Sequence, residues 1–130
     1  MKNLSTAVLD TEAQCALLTF KGFRSTSQLI EIAEQAHDLR KNNGSCKQLN
    51  DIEDMSVLTQ EIQQWLGTVW FPKAIETGLK FFAFVVPKNA LGKMSMENAN
   101  KKADTKKTGI EIEYFGSLTE AKAWLISKKN

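Results

Sequence analysis

His37 is the chain's only histidine, and Cys15 and Cys46 are its only thiols. Together they could furnish three ligands of a tetrahedral zinc, with a carboxylate completing the set. Neither cysteine belongs to a C-x-x-C pair, so two reduced, half-buried thiols are the simpler expectation and no metal is expected. Reduced thiols fit a cytoplasmic protein, although two cysteines also permit one disulfide. His37 falls inside a helical pattern beside its apolar face, and a catalytic or pH-sensing role needs a partner that the spacing does not supply. It reads as a partly buried helix residue.

Other groups invite chemistry and are weighed against plainer roles. Asp51, Glu53 and Asp54 could hold a hard cation, but the spaced ligands, glycine and distal glutamate of an EF-hand are missing, which leaves an acidic loop. Gly92-Lys93 lacks the preceding glycine of a phosphate loop, and neither G-x-S-x-G nor G-x-G-x-x-G occurs. Asp51, Asp54 and Lys93 are the titratable groups to inspect for an enzyme, and they are not expected to converge. The chain therefore reads as non-enzymatic, with no cofactor. The basic stretch from Lys101 to Lys107 has no stacking aromatic and is interrupted by Asp104, so it reads as a solvated loop and not a nucleic-acid site.

Trp65, Trp70 and Phe71 form the most unusual cluster. Their spacing places the two tryptophans near one helical face. They read as core packing, as one wall of an apolar pocket faced by Met94 and Met96, or as a self-association patch that would make a homodimer. All three readings stay open at this point.

The elements that position these residues follow from size and pattern. A chain of 130 residues with 42% apolar and 25% charged residues fits a single domain with its own core. The net charge of +2, from 17 basic and 15 acidic groups, is too balanced to call for a nucleic-acid or anionic membrane partner. The first 20 residues lack the long apolar stretch of a signal peptide, and the longest apolar run, Phe81 to Pro87, is too short to span a bilayer.

Leu4–Leu9 and Cys15–Phe20 read as a hairpin around Asp10-Thr-Glu-Ala13. Ser25 with Gln28 is a capping box, and Leu29, Ile32, Ala33, Ala36 and Leu39 give one apolar helix face. Asn42-Asn43-Gly44 ends that helix. Cys46–Ile52 is a weak strand. Thr59 caps a second helix with the stripe Ile62, Trp65, Leu66, Val69 and Trp70, which Pro72 must bend or restart before Gly78 closes it. Lys80–Val86 is apolar at nearly every position and reads as a strand buried on both faces. Lys88 to about Lys102 is a third helix. Ile110–Phe115 alternates as a strand with one dry face, and Ser117 with Glu120 caps a last helix whose Leu118, Ala121, Trp124 and Leu125 face inward.

The order β-β-α-β-α-β-α-β-α predicts an α/β fold with a mostly parallel five-stranded sheet and an antiparallel N-terminal strand. In that order and in several segments the chain resembles the STAS domain (SpoIIAA-like), and it is most similar to small stand-alone bacterial STAS/SEC14-like proteins. The segments are Trp70-Phe-Pro-Lys-Ala-Ile75, Gly78-Leu-Lys80, Val85-Val-Pro87, Gly92-Lys-Met-Ser-Met-Glu-Asn98 and Tyr114-Phe-Gly-Ser-Leu-Thr-Glu-Ala121. The likeness covers about residues 4 to 127, within one domain spanning 1–130. It implies a regulatory or protein-interaction module with a protein partner. The alternative it implies is a carrier or sensor of a small nonpolar ligand, held between the sheet and the second and third helices. In the anti-sigma-factor antagonists a serine in an Asp-Ser-Ser-Gly motif accepts phosphate. Here that stretch reads Met55-Ser-Val-Leu-Thr-Gln-Glu61, the motif is absent, and Ser56 and Thr59 are the nearest hydroxyls. Phosphate at a helix N-terminus is electrostatically favourable, but Thr59 also suits a plain N-cap.

Overall fold

The computed structural model describes residues 6–20, 26–53, 64–89, 91–92 and 109–128. Five strands, β1 (Thr6–Asp10), β2 (Cys15–Thr19), β3 (Lys47–Asp51), β4 (Phe81–Val85) and β5 (Glu111–Phe115), form one sheet in the order β1-β2-β3-β4-β5. β1 is antiparallel to β2, and the remaining pairs are parallel. The mostly parallel α/β architecture with an antiparallel first strand is therefore present. Three helices are described: α1 (Thr26–Asn42), α2 (Phe71–Glu76), entered through a π-helical turn at Leu66–Trp70, and α3 (Leu118–Ile126). The Ser25 half of the first capping box, and the third helix beyond Gly92, lie outside the described residues.

Local chemistry sets the element ends. The β1–β2 turn is held by the Asp10 carboxylate, which accepts from the Ala13 backbone N–H at 3.0 Å. α1 stops at Gly44, whose φ of +62° suits a residue without Cβ, and the Asn43 side chain donates to the Leu39 carbonyl at 2.8 Å. At the start of α3 the Glu120 backbone N–H donates to the Ser117 hydroxyl at 3.2 Å, which is the capping half of the expected box.

Strand alternation divides the core between the two faces of the sheet. On one face Ala16 and Leu18 pack with Ile32 and Ala36 of α1, and Phe82 packs with Trp70 and Ala74 of the second helical stretch. On the other, Cys15, Leu49, Ala83 and Val85 pack beneath Ala121 and Leu125 of α3. β4 thus runs between two strands and two helical layers, which explains its nearly unbroken apolar sequence. Trp124 is half-buried and stands edge-on to Phe81 at 6.1 Å. Leu118 was expected to face inward but is exposed, because it occupies the first position after the cap, where α3 has not yet reached the sheet.

The π turn corrects a second expectation. In a regular α-helix Leu66, Val69 and Trp70 share a stripe. Here the Phe71 N–H reaches back five residues to the Leu66 carbonyl. The wider turn brings Trp65 and Leu66 into the same cluster as Trp70 and Phe71, and turns Val69 outward to 45% exposure. Pro72, near the start of α2, has no N–H to continue an α ladder, so the widened turn falls just before it.

Candidate functional site

Trp70, one of the aromatic residues singled out in the sequence, lies where α1, β3 and the π turn with α2 meet. The last two turns of α1 carry His37 and Arg40 on the stripe that begins with Ala33 and Ala36, so a polar pair continues an apolar face. Both are enclosed, with 1% and 0% of their surfaces exposed. The Arg40 guanidinium donates to three neutral acceptors: Gln48 Oε1 through Nε at 3.1 Å, Thr77 Oγ1 through Nη1 at 3.3 Å, and His37 Nδ1 through Nη2 at 2.7 Å. Gln48 in turn donates to Asn50 Oδ1 at 3.0 Å, so a polar ladder climbs the middle strand.

A buried cation needs compensation. Arg40 lies in the last turn of α1 and touches Thr77 at the end of α2, so the negative ends of two helices face it. Burial pushes its pKa down to about 10, which leaves it charged at neutral pH. Burial first, and the Arg40 charge second, push the His37 imidazole down to about 4, so it is neutral at pH 7. Because a guanidinium only donates, His37 Nδ1 must accept, and the ring proton sits on Nε2. That N–H is buried and has no hydrogen-bond partner among the described residues.

Trp70 is the strut of this junction. It is 2% exposed, its indole N–H donates to the Ala33 carbonyl at 2.8 Å, and its ring lies 5.0 Å from those of His37 and Phe71. At the surface above, Lys73 and Glu34 close an ion pair at 2.8 Å. Three rungs therefore tie the π turn, α2 and its C-cap to α1: Trp70 to Ala33, Lys73 to Glu34, and Thr77 to Arg40.

Of the residues singled out in the sequence, Trp70 is in the core, while Trp65 and Phe71 are half-buried at its border. Met94, Met96, Ser56, Thr59, Asp54 and Lys93 lie outside the described residues. Asp51 is half-buried and its carboxylate accepts from the Glu53 backbone N–H at 3.1 Å, a turn-forming use of the group. Among the described residues no three His, Cys, Asp or Glu side chains gather to hold a metal. Cys15 and Cys46 are buried and form no disulfide with each other, and burial, aided by Asp10, pushes the Cys15 thiol up to about 12, which keeps it protonated and unreactive.

The residues that sequence reasoning missed are Arg40 and Gln48. A signal existed for both: Arg40 lies seven positions after Ala33 on the apolar stripe, and Gln48 sits mid-strand in the weakest strand pattern. On the same sheet face, the row Asn50, Phe84 and Tyr114 crosses three parallel strands near their carboxyl ends, all half-buried, with the two rings stacked at 5.1 Å. That end is where open α/β sheets commonly receive ligands.

No helix among the described residues is long and apolar enough to cross a membrane. No model of a known protein family matches the chain, and no curated protein or solved structure matches it significantly.

Proposed function

We propose that this chain is a non-enzymatic regulatory or protein-interaction module of STAS-like fold, acting in the cytoplasm. Support for the fold assignment is the sheet order with its antiparallel first strand, together with the Trp-Phe-Pro and Gly-Lys-Met-Ser segments. The observation that carries the functional reading is the outer side of the π turn and α2. Val69, Pro72 and Ile75, three residues apart, are all exposed, with Val69 and Ile75 at 45% and 42%. Lys73 and Glu76 edge this apolar row, and the three rungs to α1 hold it rigid. A rigid apolar centre with a charged border suits recognition of another protein. The test is a cross-linked pull-down from native host extract with the wild-type chain and a V69K/I75E variant. A specific partner kept by the former and lost by the latter supports the reading. Equal recovery by both, or no specific partner, contradicts it.

A second reading, a carrier or sensor of a small nonpolar ligand, is favoured by the half-buried aromatic side chains of Trp65, Phe71, Phe84 and Tyr114 around the sealed Trp70. Native mass spectrometry of the purified chain separates the two. A co-purifying apolar molecule supports the carrier, and the unliganded mass alone supports the interaction module.

A further inference from the structure

Among the described strands the sheet has two margins, β1 and β5, and their chemistry differs. β5 carries two glutamates, Glu111 and Glu113, on one face, and Glu111 is paired with Lys128 at 3.5 Å, so this margin is rich in charge. β1 reads Thr-Ala-Val-Leu-Asp, uncharged and without proline from Thr6 to Leu9. Its terminal carboxylate, on Asp10, is already engaged by the Ala13 N–H at 3.0 Å and by Lys122 at 3.3 Å. At its centre Val8 is 49% exposed, because α3 lies over β3, β4 and β5 and reaches β1 only through the Lys122–Asp10 pair among the contacts described. α1 covers the opposite face of β1 and β2.

We propose that β1 is the contact through which two copies of this chain join, antiparallel about a twofold axis at Val8, into one continuous sheet. An antiparallel edge is self-complementary: the backbone groups that one copy offers are those the other lacks. The axis sets Val8 against the partner's Val8, which buries the exposed β-branched side chain at the centre of the contact. Asp10 then falls opposite the partner's Thr6, so no like charges meet across the seam. A strand of this composition is matched better by its own copy than by a charged partner, and β1 is the less charged of the two margins. This contact is separate from the outer row on α2 and stands whether or not that row binds a partner.

Sedimentation equilibrium of the full chain tests it, with wild type, V8K and V69K compared. The expected result is a reversible wild-type dimer, association weakened at least about tenfold by the paired lysines of V8K, and no effect of V69K. A wild-type monomer throughout, V8K dimerising like wild type, or loss of the dimer in V69K would each overturn the proposal. Hydrogen exchange on the wild-type chain gives a reading that needs no variant. Backbone amides of residues 6–9 gain protection as concentration rises if β1 pairs, and unchanged protection across a forming dimer would place the contact elsewhere.

Discussion

His37 Nδ1 lies 2.7 Å from Arg40 Nη2, inside a core that neither side chain leaves. The arginine donates and the imidazole accepts, so the pair works only while His37 is neutral. A proton on Nδ1 would turn the acceptor into a donor and set two cations in contact.

That relationship fixes the acid response. His37 has a folded-state pKa of about 4 against an ordinary 6.5. The unfolded chain therefore binds the proton first, so stability is complete above about pH 6.5 and is lost as pH falls toward 4. The full difference is on the order of 3 kcal/mol. Urea unfolding measured from pH 7 down to pH 5, before most carboxylates titrate, should show a falling wild-type stability and a much flatter profile in H37Q. Parallel profiles would remove His37 as the cause.

Arg40 should be costly to truncate and cheaper to replace. R40A leaves Gln48, Thr77 and His37 without their donor and opens a cavity, and should lose about 3–5 kcal/mol. R40M with Q48L removes both members of the Arg40–Gln48 bond while nearly keeping volume, but leaves His37 Nδ1 and Thr77 Oγ1 without their donor, so it should recover only part of that loss. Denaturant midpoints of R40A, R40M, Q48L and the double variant check this as a cycle.

The π turn makes an opposite prediction for a hydrophobic residue. V69K should change stability by less than about 0.5 kcal/mol, because the side chain already faces water. Were the segment a regular α-helix, the lysine would enter the core and cost several times more. Thermal unfolding of V69K beside L66K, which replaces a residue packed against the core cluster, distinguishes the two geometries.

Gly116 approaches another segment closely: a Cβ placed there would stand 3.3 Å from the Leu91 side chain and 3.5 Å from that of Lys88. G116A should be tolerated through a small shift of Leu91, whereas G116V should lose about 1–3 kcal/mol by overpacking. Equal melting temperatures for the two variants would show that the 88–92 segment does not rest on this turn.

The coarse fold was legible because its strongest signals are apolar. Phe81–Val85 could be read as an interior strand from its unbroken hydrophobicity, and α1 from the recurrence of Ile32, Ala33, Ala36 and Leu39. β3 was weak for a reason that only the tertiary structure supplies. Lys47, Gln48, Asn50 and Asp51 are poor strand formers in isolation, yet Gln48 is satisfied by Arg40 and Asn50. The polar junction was missed because an arginine at a core position is assigned to the surface unless its acceptors are known, and those lie up to 37 residues away. The π turn left a subtler trace: Trp65-Leu66 and Trp70-Phe71 repeat at five residues, a period that a 3.6-residue template folds into an ordinary stripe.

On the proposed reading Trp70 is a sealed strut, and recognition belongs to the outer side of the second helical stretch. Acrylamide quenching of a W65F/W124F chain, which keeps only Trp70, tests this most directly. The prediction is blue-shifted emission with scarcely any quenching, unchanged when decanoate is added as an apolar probe. Ready quenching, or an emission shift on adding decanoate, would place Trp70 on an open pocket and contradict the claim.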